Sequence, residues 1–340
     1  MKLSIIVPVF NEVECIKEVT NNLKNTFINE NVEYIFINDG SNDGSKEWLE
    51  EYIKKQPKEN NKFISLSMNI GKGNALHEGL KISRGDYVLF QDADLELDTK
   101  DSLEMYKIIK NNKKIKCLFG SRYLSGKLKS NKNFINEFVV RINSLIFNIL
   151  YLQSLSDVHC GTKIVSRDVI ESIKLTIKDF GFEIDIASQI AKNNFDIFEY
   201  GISYFSRSTQ EGKKITWIDG LKTYYYLFKT RFIDNDISTK FSILFSTVYM
   251  IYIGSHFSKG TGSILIILIT FIIGLFIGLK RKIVSSSLIY LFCFVGSLFS
   301  KGNGRTYTVI LGFFIGLYLS KEVARLIRKK TKNKFIHFFV

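Results

Sequence analysis

Residues 87–98 read YVLFQDADLELD, an apolar run that is followed at once by alternating carboxylates. Asp92 and Asp94 stand at positions i and i+2, so in extended backbone their side chains point to the same side. Two carboxylates that close repel each other unless a cation lies between them. Mg²⁺ and Mn²⁺ prefer such hard oxygen ligands and complete their shell with phosphate oxygens and water. The segment therefore predicts a buried strand that ends at a divalent-metal site, with Glu96 close enough to join.

Outward from this segment, short β-rich runs alternate with longer stretches of helical spacing. The predicted strands are 3–9, 33–38, 62–68, 86–91 and 115–120, and the clearest predicted helices are 12–29, 43–56 and 99–112. This order indicates an α/β fold with a mostly parallel sheet. Ligands of such sheets bind beyond the carboxyl ends of the strands, and those ends carry the motifs at 10–12, 39–41, 69–73, 92–94 and 121–123.

Several classes of protein are excluded by missing motifs. The NIGKG segment at 69–73 does not continue as a dinucleotide loop, because position 76 is Leu76 and the fingerprint belongs after the first strand. The chain has neither the G-x-x-x-x-G-K-[ST] phosphate loop nor a G-x-S-x-G elbow. Its four cysteines form no C-x-x-C pair, so neither a zinc site nor a disulfide framework is indicated.

The net charge of +14 is concentrated towards the C-terminus. Residues 241–340 contain thirteen Lys or Arg and one acidic residue, so they carry +12 and residues 1–240 carry +2. Because this stretch is also the most apolar part of the chain, its cations are typical of membrane flanks rather than of a stripe that follows nucleic-acid phosphates. Nucleic acid is therefore not an expected partner.

Four uncharged apolar runs lie in that stretch, at 241–257, 263–279, 283–299 and 306–320. Each is near the ~17 to 25 residues that cross a bilayer, and the alternative is four buried core helices. Basic clusters at 280–282 and 321–334 place the second loop and the tail in the cytoplasm by the positive-inside rule. The sequence thus predicts a cytoplasmic domain (1–212), an interfacial segment (213–240), four transmembrane helices (241–320) and a basic cytoplasmic tail (321–340) in the cell membrane. Aromatic and basic residues alternate at 215–233, a composition typical of a helix in the headgroup layer.

Four motifs taken together resemble family 2 glycosyltransferases of the GT-A fold: VPVFNE at 7–12, INDGSNDGS at 37–45, the run at 69–96, and GSRY at 120–123. The resemblance covers roughly residues 1–235 and is greatest to dolichyl-phosphate mannose synthases and bacterial polyprenyl-phosphate glucosyltransferases. The CGTK turn at 160–163, and Arg207 six residues before Lys213, support this narrower resemblance. It implies a Rossmann-like sheet followed by membrane helices, and an inverting transfer of sugar from a UDP- or GDP-sugar to a polyprenyl monophosphate.

The resemblance also implies a role for each matching residue. The expected nucleotide-sugar ligands are Pro8, Phe10, Glu12, Ile37, Asp39, Asp92, Ala93, Arg122 and Lys213. The acceptor phosphate would be held by Arg141, Ser144 and Arg207, and Mg²⁺ or Mn²⁺ by Asp92, Asp94 and Glu96. Asp94, Arg122 and Arg207 are the expected catalytic residues. The chain departs from the family at Phe10, often Tyr, at Asn38, usually Asp, and at Glu96, which is Gln in mannose synthases.

Two other functions stay open on the sequence alone. A glycosyltransferase that acts on a sugar hydroxyl of a cell-surface glycan needs a general base, and Glu183 or Asp185 would supply it, although both equally suit the start of a helix. A lipid phosphate is already an anion and needs no base. A non-catalytic membrane scaffold would tolerate loss of Asp92 and Asp94. The sequence does not name the sugar, the nucleotide or the lipid length, and it is compatible with a homo-oligomer.

Overall fold

Seven strands form one sheet in the part of the chain that the computed structural model describes. The described residues are 1–56, 60–124, 126–130, 134–207, 217–235, 237–257 and 263–280, with Tyr290, Cys293 and Ile315. The strands of the sheet are β1 Leu3–Val9, β2 Val32–Asn38, β3 Asn61–Ser65, β4 Tyr87–Phe90, β5 Cys117–Ser121, β7 Lys163–Ser166 and β8 Phe198–Gly201. Two further short strands, β6 Lys129–Ser130 and β9 Tyr204–Phe205, pair with each other.

The strand order is β3-β2-β1-β4-β7-β5-β8. Strand β7 runs antiparallel to β4 and β5, and the remaining pairs of the sheet are parallel. The mostly parallel α/β sheet predicted from the sequence is therefore confirmed. The antiparallel insertion of β7 was not predicted, because its four residues follow a turn and show no alternation long enough to indicate a strand.

Helices connect the strands and cover both faces of the sheet. Their bounds are α1 Val13–Thr26, α2 Ser45–Lys55, α3 Lys72–Ile82, α4 Thr99–Asn111, α5 Phe134–Tyr151, α6 Arg167–Ser172, α7 Phe182–Lys192 and α8 Trp217–Phe228. Helix α8 continues into a π-helical turn, Lys229–Ile233. The predicted helices 12–29, 43–56 and 99–112 correspond to α1, α2 and α4, and the predicted segment 215–233 contains α8. Helix α4 begins where the Asp98 side chain accepts the N–H of Lys100 at 2.9 Å.

Two apolar cores pack on opposite faces of the sheet. Successive residues of β1 point to opposite sides, so Ile5 belongs to the core that includes Ile16 and Ile6 belongs to the core that includes Phe182. A strand buried on both faces reads as a continuous apolar run rather than as an alternation. This explains the sequence LSIIVPV of β1.

The described chain divides into two units, Met1–Thr230 and Arg231–Val340. In the second unit, α9 (Ile237–Phe257) and α10 (Ser263–Lys280) coincide with the first two apolar runs of the sequence. The two helices approach closely, since a Cβ on Gly278 would lie 2.3 Å from the Cα of Ile243 and one on Gly274 would lie 2.7 Å from the Cα of Thr247. The runs at 283–299 and 306–320 lie outside the described residues except at three single positions.

Within the described residues, no helix combines the length and the apolar character that a bilayer crossing requires. The four membrane spans therefore stay a prediction from the sequence.

The amino ends of the first three strands are joined by one buried carboxylate. Glu33 accepts hydrogen bonds from Lys2 Nζ at 3.1 Å, Lys62 Nζ at 2.8 Å and Ser4 Oγ at 2.6 Å, and also from the N–H of Arg84. Burial alone would raise the pKa of Glu33, but these hydrogen bonds lower it from 4.5 to about 2. Glu33 therefore stabilises the edge of the sheet opposite to the carboxyl ends of the strands.

We expect Glu33→Gln to lower the free energy of unfolding by about 1.5 to 3 kcal/mol at pH 7, the usual loss for hydrogen bonds to a charged group. Because the folded-state pKa is lowered, this stabilisation is complete above pH 4.5 and is lost as the pH falls towards 2. Urea unfolding of both proteins at pH 7 and pH 2.5, followed by tryptophan fluorescence, measures the difference. If the difference in the free energy of unfolding between the two proteins is not smaller at pH 2.5 than at pH 7, Glu33 does not stabilise the fold through its charged form.

Candidate active site

The loop after β3 is held by a carboxylate at the end of β2. Asp39 is 2% exposed, and its two oxygens accept the N–H groups of Ile70 at 3.1 Å and Gly71 at 2.9 Å. Burial raises the pKa of this carboxyl above its ordinary value. The residue expected at the base or ribose therefore also fixes the start of α3, and with it Lys72.

Beyond the end of β4, three carboxylates lie close together. Leu95 adopts a left-handed conformation with φ 55°, and the N–H of Glu96 donates to Asp94 Oδ1 at 3.2 Å. Asp92 Oδ1 lies 2.6 Å from the Nζ of Lys72. The acidic centre, Asp92, Asp94 and Glu96, is thus formed by the segment in which the sequence predicted it.

Arg207 joins the acidic centre to the end of β1. Its guanidinium contacts Glu12 at 3.0 and 3.3 Å and Asp94 Oδ2 at 3.4 Å, and its backbone N–H donates to Glu96 Oε1 at 2.9 Å. Although burial alone would lower the pKa of Arg207, these carboxylates raise it. The arginine expected at the acceptor phosphate therefore contacts three acidic residues, Glu12, Asp94 and Glu96, and offsets part of their charge.

The chemistry of the acidic centre fits a divalent cation. Burial, together with the charges of Asp92 and Glu96, raises the pKa of Asp94 to about 7, so the centre carries more negative charge than its neighbours compensate. Within the described residues, no three His, Cys, Asp or Glu side chains are gathered to hold a metal ion alone. The expected set of Asp92, Asp94 and Glu96 is therefore not assembled as a complete cage. One or two carboxylates with diphosphate oxygens and water is the arrangement that Mg²⁺ ordinarily uses.

The second basic residue, Arg122, is paired with a buried partner. Its Nε and NH2 atoms donate to the two oxygens of Asp157 at 2.6 and 2.8 Å, a bidentate arrangement. Glu199 accepts the N–H groups of Ser156 at 2.8 Å and of Asp157 at 3.0 Å. These two hydrogen bonds fix the backbone that carries the Asp157 side chain. The pKa of Asp157 is lowered because Arg122 outweighs the effect of burial.

Tyr123 gathers the remaining cations. Its ring centroid lies 4.3 Å from the Nζ of Lys129, 4.6 Å from the guanidinium carbon of Arg141 and 5.7 Å from that of Arg122. Lys129 and Arg141 also pair with Glu137 at 2.7 and 2.8 Å. The basic cluster, Arg122, Lys129 and Arg141 around Tyr123, was only partly predicted, because Lys129 and Tyr123 were given no role.

The other expected site residues have the following places. Pro8 lies in β1, and Phe10 is the first residue after that strand. Ile37 is fully buried and Ala93 is 4% exposed, and both belong to the apolar cores. The hydroxyl of Ser144, in α5, accepts the N–H of Val158 at 3.2 Å. Lys213 lies outside the described residues.

Glu183 and Asp185, the expected base of the hydroxyl-acceptor alternative, are both engaged. Asp185 is fully buried and accepts the N–H groups of Thr176 at 2.6 Å and Ile177 at 2.9 Å. Glu183 is 6% exposed and lies 2.6 Å from the Nζ of Lys72. Lys72 is the functional residue that the sequence left without a role, and the only local signal was its position between two glycines.

A cavity of about 520 Å³ opens beside Asp92, between α1 and the start of α4. Asn22, Asn25, Gln91 and Phe205 are among its lining residues. Its size falls in the range of small-molecule sites.

The chain is similar in sequence and in fold to known proteins. Dolichyl-phosphate beta-glucosyltransferase of Dictyostelium discoideum is 30% identical over 240 residues, which cover 64% of this chain and 73% of that protein. Dolichol-phosphate mannosyltransferase of Pyrococcus furiosus is 28% identical over 248 residues, 72% of this chain and 68% of that one. The crystal structure of glucosyl-3-phosphoglycerate synthase from Mycobacterium tuberculosis, in complex with Mn²⁺, UDP and glucosyl-3-phosphoglycerate, superposes with a TM-score of 0.53 at 17% identity, over 70% of this chain and 82% of that one.

The fold is thus the α/β GT-A fold of glycosyltransferases. The family model for glycosyl transferase family 2 matches residues 4–174, and the chain belongs to that family. The resemblance read from the motifs is confirmed.

Removing the carboxylate of Asp157 should destabilise the fold strongly. Asp157→Ala leaves a largely buried guanidinium without its partner, a change that typically costs ~3 to 5 kcal/mol. Glu51→Ala is the matched control, because Glu51 and its partner Lys55 have side chains that are 65% and 70% exposed and such surface pairs contribute little to stability. Urea unfolding of the two variants compares these losses, and equal losses would show that Asp157 does not hold Arg122 as described.

Proposed function

We propose that this protein is a membrane-bound inverting glycosyltransferase that moves a sugar from a UDP- or GDP-sugar to a polyprenyl monophosphate. The observation that carries the proposal is the pair of charge centres joined by β9. Phe205 donates its N–H to the carbonyl of Glu96 at 3.0 Å, and the ring of Tyr204 lies 5.1 Å from the guanidinium of Arg122. One short strand therefore connects the acidic centre to the basic cluster.

On the donor side, the acidic centre supplies oxygen ligands for Mg²⁺ or Mn²⁺ through Asp92 and Asp94. A cation held there would supply Lewis-acid stabilisation to the departing nucleoside diphosphate, an effect worth several kcal/mol in general. Lys72 and Arg207, which contact these carboxylates, contribute fixed positive charge at the same place. Preorganised charge of this kind lowers the barrier where negative charge develops.

On the acceptor side, both candidate bases already have partners within the protein. This favours an acceptor that is an anion and needs no base. Asp185 uses its carboxylate on backbone N–H groups, and Glu183 uses its carboxylate on Lys72. A lipid phosphate needs no proton removed, whereas a sugar hydroxyl does. The basic cluster supplies cations of the type that bind phosphate, with Arg141 exposed to solvent.

Apolar side chains on α5 and α8 support attachment of the catalytic domain to a membrane surface. Phe138, Leu145, Ile149 and Leu152, near one face of α5 or just beyond its end, are 56 to 61% exposed. Helix α8 packs against α5 and exposes Tyr225 at 56% and Phe228 at 47%. Together with the four apolar runs, this surface supports a cell-membrane location with the catalytic domain on the cytoplasmic side.

Transfer of label tests the proposal directly. Membranes that contain the full chain are incubated with polyprenyl monophosphate and labelled UDP-glucose, UDP-GlcNAc or GDP-mannose, and the lipid is extracted. We expect one donor to give an acid-labile labelled lipid, and excess chelator to abolish its formation. Label that appears only in an acid-stable glycan would instead establish a hydroxyl acceptor, and full turnover in chelator would contradict the metal requirement.

Asp94→Asn separates loss of chemistry from loss of fold. We expect transfer to fall by about 100-fold or more, since even partners outside a metal's own ligands are worth ~10 to 100-fold. The thermal unfolding midpoint should change little. The raised pKa of Asp94 means that its charged carboxylate does not stabilise the folded protein. Glu51→Ala, which alters an exposed ion pair with Lys55 within α2, serves as the control for expression and membrane insertion.

The proposed topology has four spans and both termini in the cytoplasm. The basic residues at 280–282 and 321–334 set this orientation. A cysteine introduced at Lys332 in a background without the four native cysteines should react with a membrane-impermeant reagent only after the cells are opened. Labelling in intact cells would contradict the orientation.

A further inference from the structure

The loop that carries Lys72 is locked against the segment that precedes α7. A Cβ on Gly71 would lie 2.7 Å from the carbonyl oxygen of Lys178, and one on Gly73 would lie 2.5 Å from that of Ile177. Gly71 also has φ 127°, a conformation that other residues rarely adopt. Two glycines that flank one lysine therefore bring the start of α3 to the start of α7.

The opposing segment is fixed in turn. Asp185 holds the N–H groups of Thr176 and Ile177, as described above. The hydroxyl of Tyr226 donates to Asp179 at 2.6 Å, and the N–H of Gly181 donates to the other oxygen of Asp179 at 2.9 Å. The first turn of α7, which contains Glu183, thus has a defined position relative to Lys72.

Lys72 lies between two carboxylates. Its Nζ is 2.6 Å from Asp92 Oδ1 and 2.6 Å from Glu183 Oε1, and the side chains of Lys72 and Glu183 are 16% and 7% exposed. Burial alone would lower the pKa of Lys72, but the two carboxylates raise it, so the lysine stays charged. Glu183 therefore holds the ammonium group of Lys72 in the position from which Lys72 contacts Asp92.

The second oxygen of Asp92 faces a glycine. A Cβ on Gly161 would lie 2.0 Å from Asp92 Oδ2, too short for any atom contact, so a side chain there would displace the carboxylate. Gly161 belongs to the turn before β7, the strand whose antiparallel insertion places it beside β4. Lys72 therefore fixes one oxygen of Asp92. The other oxygen fits in its place because Gly161 has no side chain.

We propose that Glu183, acting through Lys72, and Gly161 are positioning residues that set the Asp92 carboxylate for the metal and the donor diphosphate. The inference rests on the proposed function, because the orientation of Asp92 matters only if Asp92 serves the donor site. It assigns Glu183 an electrostatic role in place of the general-base role.

Metal affinity, rather than turnover, provides the main readout. The full chain in detergent is titrated with Mn²⁺ in the presence of saturating UDP and, in a parallel series, of saturating GDP, and free Mn²⁺ is followed by electron paramagnetic resonance. We expect Glu183→Gln and Gly161→Ala each to weaken Mn²⁺ binding by about 10 to 100-fold, the usual loss when a partner of a metal ligand is changed. Glu33→Gln is the matched control, since it also removes a buried carboxylate with lysine partners but at the opposite edge of the sheet, and it should leave Mn²⁺ affinity unchanged.

A double-mutant cycle tests whether Glu183 acts through Lys72. In the Lys72→Met background, Glu183→Gln should cause little further loss of Mn²⁺ affinity, because the connecting cation is absent. Equal losses in both backgrounds would overturn the assignment. If Glu183→Gln does not fold by circular dichroism, Gly161→Ala decides whether Asp92 needs the described orientation.

The remaining outcomes separate this inference from the proposed function. Wild-type protein that binds no Mn²⁺ with either UDP or GDP would overturn both. Wild-type binding with unchanged affinity in Glu183→Gln and Gly161→Ala would overturn the positioning role alone. A ~10² to 10⁴-fold loss of transfer in Glu183→Gln at saturating Mn²⁺, with unchanged metal affinity, is the behaviour of a general base and would also overturn it.

Discussion

Repulsion among carboxylates is the constraint on which the site depends. Glu12 and the acidic centre meet where β1 and β4 end, and like charges at such distances raise the free energy of the folded state unless cations lie among them. Arg207 contacts the group from the end of β9, and Lys72 contacts it from the start of α3. The elements that carry these two cations are therefore held by their attraction to these carboxylates.

At the carboxyl ends of the strands, the same contacts serve both stability and the candidate site. At the amino ends, the contacts serve stability alone. Glu33 joins the first strands at their amino ends, where no ligand is expected, and its hydrogen bonds give a lowered pKa. Asp94 at the carboxyl edge has a raised pKa, so its charged form is poorly compensated by the protein alone. Groups whose charge is costly in the folded protein cluster at functional sites, and the contrast between these two carboxylates follows that rule.

Local patterns predicted the first five strands of the chain and the spacing of the carboxylates in the acidic centre, because each of these depends on residues close in sequence. The run that ends in Asp92 and Asp94 shows both the buried strand and the carboxylate spacing. Partners distant in sequence were not predictable in this way: Glu183 lies 111 residues after Lys72, and Asp157 lies 35 residues after Arg122. Ile37, which was assigned to the ligand through a motif, has a side chain that is fully buried in one of the two apolar cores.

The contact between Arg207 and Glu12 spans 195 residues of sequence. Such a contact forms only after a long loop has closed, and long-range contacts of this kind slow folding. Because domains fold in units from the N-terminus as they are synthesised, the chain emerges with the carboxylates of Glu12 and Asp94 before the arginine that compensates them. The contact between Arg207 and Glu12 can therefore form only after the residues just before the apolar C-terminal region have emerged.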